Sequence, residues 1–384
     1  MKVNRILQLA FLFILLFSLS NCKKNKPDIL YDRKYIDEIK AARKDAVFFL
    51  SRNFIPGGTF AVAKDGKIIY SEGMGQSSKD LETPATRQTK FRIGQVSELL
   101  TSAIYHKMVE QKMLHPDSTV QHYYPEFPEK QFKLSIHHLV NQTSGIREPN
   151  MDETDWRGLN VTIQAGIDNI REDSLIAPPG IYQIPSYYNY NLLGAVMEKA
   201  AGENFSKILA GFLTDTLNLT NTVIDNPFIT IKGRSNFYDH NFISQLVNAT
   251  TRDMRFRAPS EGMLSNAEDL VKFGNAVLFS DYFQEMQKSS FFEPIPLFNN
   301  IPSNMVNGWI LMTDRDGRKI YGKSGKVTGG AAAILVYPEE KLVVACATNL
   351  GAISDDYPVF DIASHFLNKS QPKPAPPNED EVQD

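Results

Sequence analysis

Few residues in this 384-residue chain have the type and spacing to do chemistry, and most familiar sites are excluded at once. The seven histidines are scattered, and there is no H-E-x-x-H, no C-x-x-C and no calcium-loop pattern, so no metal and no cofactor is expected. Adjacent His137 and His138 are expected to serve packing or local hydrogen bonds. The absence of G-x-S-x-G excludes a nucleophile elbow, and no glycine-rich phosphate cradle precedes a helix. What stands out is "FRIGQVSELLTSAIYHKMVEQ", residues 91–111. It reads like the start of a helix, in which an amide, Gln95, and an acid, Glu98, stand three residues apart and so share a face.

The elements that would position this stretch follow from the periodicity. Residues 35–54 carry apolar side chains at helical spacing, Ile36, Ile39, Ala42, Val47 and Leu50. Residues 57–75 then read as two strands about Asp65-Gly66, a strong hairpin signal. Helix is expected over 98–113, in short pieces over 115–144 and 162–173, over 190–202 with Gly202 closing it, and over 265–279 with Ser265 and Glu268 as a capping box. Strands return as hairpins about Asp316-Gly317 and residues 338–340, and a helix over 354–369 closes the domain. Two strand groups far apart in sequence, with a helical middle, are joined most economically in one sheet. The expected fold is α/β of the α+β type: a central antiparallel sheet built from N- and C-terminal strands, flanked by helices, with a large mainly helical subdomain inserted across roughly residues 91–300. A site would then lie in the groove between the halves.

Composition is globular, 42% apolar and 22% charged, with room for a sizeable core. The net charge is −3, with no basic stripe or nucleic-acid motif, so no nucleic acid is expected as partner. Lys2 and Arg5 precede an apolar run, Ile6 to Leu19, that ends at "LSNC". This reads as a bacterial lipoprotein signal, residues 1–21, cleaved before an acylated Cys22 that anchors the chain in a lipid membrane of the cell envelope, on its periplasmic side or at the cell surface. Residues 22–34 are then a polar tether, 35–369 the folded domain, and 370–384, rich in Pro and acid, a disordered tail. The remaining cysteine, Cys346, alternates with apolar residues as a buried strand position would, and no disulfide is expected.

Several phrases, in order, carry a resemblance: "FRIG.VS", "VQHYYPEFPEKQFKLSIHHLVNQTSGI", "PPGIY", "YNLLGAVMEKAAG", "APSEGMLSNAEDLVKFG", "NGWIL" and "GKSGKVTGGAAAILVYPEEKLVVACATNLG". Over residues 60–366 the chain resembles the serine β-lactamase and penicillin-binding-protein superfamily, in its class C-like, esterase-like and LACTB-like branch. The resemblance implies three chemical elements. S-x-x-K on a helix puts a nucleophilic serine and its lysine base one turn apart on one face. Y-x-N supplies a tyrosine that relays the proton. K-T-G or a variant, on an edge strand, holds a substrate carboxylate and turns backbone N–H groups toward the developing oxyanion.

Aligned without gaps, Gln95 takes the serine position and Glu98 the lysine position. Ser97 is a fallback nucleophile, but two residues along a helix turn its side chain by about 200°, and Leu100 rather than lysine follows it at three. The only S-x-x-K matches, Ser20–Lys23 and Ser370–Lys373, fall in the signal and the tail. Pro185 falls on the tyrosine position, while a Y-x-N occurs two residues late, Tyr187-Tyr188-Asn189. The third element survives as Lys323-Ser324-Gly325, with Gly325 and Gly329 permitting close approach. The expected protein is a membrane-anchored pseudoenzyme of this serine hydrolase family. Its groove would bind a peptide-like or peptidoglycan-derived ligand through Lys323, Ser324, Gly325, Tyr187 and Asn189. The alternatives are an active hydrolase with a rewired nucleophile (Ser97, Ser186 or Ser324) and a non-catalytic scaffold. One geometric consequence is sharp: Glu98 and Lys323 should face each other within about 8 Å, direct or through one water.

Overall fold

The Asp65-Gly66 turn takes positive φ at both residues, 52° and 78°, the conformation that twists a two-residue hairpin correctly. It joins β2 (Gly57–Lys64) to β3 (Lys67–Ser78) in a computed structural model that describes residues 28–154, 158, 162–283 and 291–367. The expected signal, Cys22, the tail and both S-x-x-K matches lie outside the described residues.

With β1 (Ile29–Tyr31), β4 (Met305–Val306), β5 (Trp309–Thr313), β6 (Lys319–Val327), β7 (Gly330–Tyr337) and β8 (Leu342–Thr348), these strands form one antiparallel sheet in the order β1-β3-β2-β8-β7-β6-β5-β4. N- and C-terminal strands therefore meet at β2–β8, with Cys346 opposite Phe60. The period of two sends alternate residues of β7 and β8 to opposite faces, and both faces are covered. Ala333, Leu335, Val344 and Cys346 pack under α1 (Ile36–Arg52) and a C-terminal helix, Val359–Ser364. Ile334, Val336, Val343 and Ala345 face the inserted half. There Gly274 of a helix over Ala267–Phe279 comes so close that a Cβ on it would stand 2.7 Å from Val343 Cγ1.

Several boundaries differ from expectation. The stretch expected as tether includes a strand: Ile29–Tyr31 pairs with Tyr70–Glu72, its backbone demand outweighing a polar neighbourhood. The expected Ser265 cap is one residue early. Asn266 caps the helix by accepting from Asp269 N, while Ser265 Oγ bonds Thr222 and Glu268 pairs with Arg87. The closing helix is shorter than expected, because Pro358 sets its start. The inserted half is mainly helical, as expected, and also carries short strands. Phe91–Arg92, Met263–Ser265 and Val223–Ile224 form a small sheet, and Tyr238–His240 pairs with Leu246–Asn248.

That small sheet aims the site. Arg92 is buried, its guanidinium 2.7 Å from Asp225 and from the Thr328 carbonyl, and its charged carbon lies 4.1 Å from the Phe237 ring centroid. These bonds tie the entry of the next helix to the turn beyond β6.

Candidate functional site

The chain passes from Arg92 through a tight 3-10 turn, Gly94–Val96, into α2 (Ser97–Glu110). Gly94 has φ +52°, and a Cβ there would stand 2.7 Å from Lys326 N. A Cβ on Gly325 would stand 2.4 Å from Gln95 N. Glycine on both sides lets the turn lie against the half of β6 that β5 leaves unpaired, since β5 covers only Lys319–Gly322. The close approach expected of Gly325 and Gly329 is thus present at both: Gly329, at φ +77°, turns the hairpin into β7, and a Cβ on it would stand 2.4 Å from Phe237 Cβ.

At this contact Gln95 crosses the groove. Its Oε1 accepts from Lys326 N at 2.8 Å, and its Nε2 donates to Glu261 Oε1. Glu261 Oε2 accepts from Arg257 Nη1 at 3.1 Å, and Arg257 Nη2 donates to the carbonyls of Glu153 and Thr154. A continuous line of hydrogen bonds therefore runs from the sheet edge into the inserted half. An edge N–H of the kind that would receive a developing oxyanion holds a side-chain amide oxygen instead. The amide nitrogen is no nucleophile, its lone pair being delocalised into the carbonyl.

One turn further on, Glu98 is buried and Lys323 Nζ lies 2.7 Å from its Oε2. The pairing expected from sequence is direct. Burial raises the Glu98 carboxyl above its ordinary range, against the attraction of Lys323, with nearby Glu261 adding to the rise. The other Glu98 oxygen receives a long bond from Gln142 Nε2, 3.4 Å. Gln142 Oε1 in turn accepts from Ser186 N and from Asn189 Nδ2, and Asn189 Oδ1 accepts from Ser144. Asn189 is thus brought to the site, but as a structural member of this network.

The remaining expected residues scatter. Tyr187 opens α3 (Tyr187–Ala201); its ring centroid lies 4.1 Å from the Arg257 guanidinium carbon, and its buried hydroxyl has no hydrogen-bond partner among the described residues. Pro185 precedes the cap, Ser186, and lines a rim concavity with Tyr182 and Phe298. Ser97 is fully buried and its Oγ accepts from Met263 N at 3.3 Å. Ser186 accepts from Tyr188 N and donates to the Arg147 carbonyl. Ser324 is exposed, and strand alternation turns it from Lys323 toward a concavity it shares with Met312, Tyr357 and Phe360. Among the described residues none of these three hydroxyls bonds a titratable side chain, although Ser324 shares its concavity with Asp355 and Asp356. His138 Nδ1 accepts from Ser135 N, closing a local cap. Among the described residues no cluster of His, Cys, Asp and Glu could hold a metal.

Sequence reasoning missed Gln142, Glu261 and Arg257. Two of them lay inside phrases that carried the resemblance, "NQTSGI" and "APSEGM", which marked their neighbourhood but not their roles.

Comparison with known proteins agrees with this geometry. The beta-lactamase family model matches residues 37–358. Human mitochondrial serine beta-lactamase-like protein LACTB is 25% identical over 381 residues, covering 74% of this chain and 69% of its own. Two solved structures share the fold. FmtA from Staphylococcus aureus has a TM-score of 0.73 at 17% identity, over 91% of this chain and 93% of that one. The octameric penicillin-binding protein homologue from Pyrococcus abyssi has a TM-score of 0.71 at 22% identity, over 85% and 75%. With a family match that spans most of the chain and a fold in which the Gln95 turn, α2 and β6 meet as the motifs require, this chain belongs to the beta-lactamase family of serine hydrolase folds.

Proposed function

We propose that this chain is a lipid-anchored, catalytically inactive member of its family. The observation that carries the reading is the Gln95 bridge: the position for a nucleophile holds an amide whose oxygen is bonded to Lys326 N. Covalent acyl transfer needs a nucleophile with a base beside it. Gln95 is not one, and Glu98, in the lysine position, is committed to Lys323. Among the described residues Ser97 and Ser186 bond backbone groups alone, and Ser324 shares its concavity with Asp355 and Asp356 but is hydrogen-bonded to neither, which weighs against a rewired hydrolase.

The lipoprotein reading of residues 1–22 makes the location a bacterial cell envelope and the first partner a membrane, through acylated Cys22. A peptide-like or peptidoglycan-derived ligand with a carboxylate would have to share Lys323 with Glu98 and displace Gln95 from Lys326. That the groove's own side chains already use both groups favours the scaffold reading as second. Incubation with a fluorescent penicillin and a fluorophosphonate, followed by intact mass, tests the proposal. No adduct is expected, and specific acylation abolished by one serine substitution would overturn it.

A further inference from the structure

We propose that an apolar rim, formed by the tip of the Tyr238–Asn248 hairpin and the end of α1, rests on the lipid bilayer and orients the domain there. The inference builds on the lipid-anchored reading above. Phe242 and Ile243 at the hairpin tip are 98% and 57% exposed, and Phe54, just beyond α1, is 76% exposed. These are not scattered singles. Val47, Phe54 and Leu246 line one open concavity of about 570 Å³ together with Ser244, the residue next to Ile243. A grouped apolar surface of this kind marks an interaction site.

The tip is also built to leave water. In lipid, backbone polar groups need internal partners. Asn241 supplies them: its Oδ1 accepts from Ile243 N at 3.1 Å and Gln245 N at 2.9 Å, its carbonyl accepts from Ser244 N at 2.9 Å, and its own N–H donates to the Gln245 carbonyl at 3.0 Å. With these groups satisfied, Phe242 and Ile243 can enter the headgroup boundary at little polar cost. Phe54 sits at φ +54°, where a side chain is strained by about 1–2 kcal/mol, yet its ring adds nothing to the core.

The length of chain before the described residues selects a bilayer as occupant. Asp28 is fixed by Arg87, whose backbone N and Nε each lie 3.0 Å from its carboxylate. The next residue, Ile29, lies opposite Glu72 of β3, and Gly75 and Gln76 of that strand line the concavity. Four strand residues span about 13 Å. Six residues, from Cys22 to Asp28, reach at most about 20 Å. An acyl anchor at Cys22 and the rim can therefore lie on the same membrane surface.

The test uses the full lipidated chain with Ser244→Cys carrying an environment-sensitive fluorophore, Cys346 being buried. On phosphatidylethanolamine–phosphatidylglycerol vesicles the label should brighten, shift to the blue and be quenched by acyl-chain nitroxides. Phe242→Asp with Ile243→Asp should abolish that response while the chain still floats with the vesicles. A chain that floats with its label in water overturns the docking proposal and leaves lipid anchoring intact. A chain without acyl mass on Cys22 overturns the anchoring reading, and an unquenched label on that chain overturns docking as well. A label response that depends on protein concentration without vesicles would assign the rim to a second copy and also overturn the proposal.

Discussion

The Lys323 ammonium lies 2.7 Å from the Glu98 carboxylate, across the groove between sheet and inserted half. The acid on α2 is thus matched by a lysine on β6, just past the part of that strand that β5 covers. A buried pair of this kind fixes geometry rather than guaranteeing stability. Removing one partner should be severe: Lys323→Met leaves Glu98 buried without its counter-charge and should cost about 3–5 kcal/mol in urea unfolding. The double change with Glu98→Leu should recover much of that loss.

The pair also sets a pH dependence. Burial raises the Glu98 carboxyl, so the native state binds this proton more readily than the unfolded chain does. Its contribution to stability is then fully present below the ordinary glutamate value and is lost as pH rises through the raised native value. As pH is lowered from neutrality toward 4.5, the parent should gain stability relative to Glu98→Gln, which cannot titrate. Urea midpoints of the two proteins across that range check the sign.

Gln95→Ala should release the sheet edge. Lys326 N–H loses its acceptor and Glu261 loses a donor, at a cost of about 1–3 kcal/mol for a buried group left unpaired. The Lys326 amide should exchange faster with deuterium while the β7–β8 amides keep their protection.

Arg92 and Asp225 give a second, independent pair. Asp225 is shared with Arg234, whose Nη1 lies 3.2 Å from its Oδ1, so Arg92→Met should destabilise by about 1–3 kcal/mol rather than the full cost of a stranded charge, and the double change Arg92→Met with Asp225→Leu should cost less than the sum of the two singles. Denaturant unfolding of the singles and the double checks the non-additivity.

Gly325→Ala should be poorly tolerated, since its Cβ would meet backbone, Gln95 N at 2.4 Å and Ile93 O at 2.6 Å. Overpacking of this order costs about 1–3 kcal/mol, readable as a lower urea midpoint.

The sequence displayed what short-range chemistry encodes. The Asp65-Gly66 hairpin, the Gly202 helix end at φ +66° and the Glu98–Lys323 encounter were legible because turns, caps and motif register are local or fixed by phrases in order. Two things were not. The Gln95–Glu261–Arg257 line joins residues far apart in the chain, and no periodicity announces which amide will meet which carboxylate. Ser324 was grouped with Lys323 by motif, yet adjacent strand residues point to opposite faces, and only Lys323 enters the groove. The Ile29–Tyr31 strand was hidden for another reason: three residues are too few to show a period, and pairing with β3 decides their conformation.

If Gln95 and Glu98 stand in the places of nucleophile and base, restoring a serine and a lysine there should restore acylation. The most direct measurement installs those groups, Gln95→Ser with Glu98→Lys, and maps any penicilloyl adduct by intact mass and peptide sequencing beside the parent. An adduct on position 95 is expected in the double variant and none in the parent. An adduct in the parent, on Ser97, Ser186 or Ser324, would contradict that expectation.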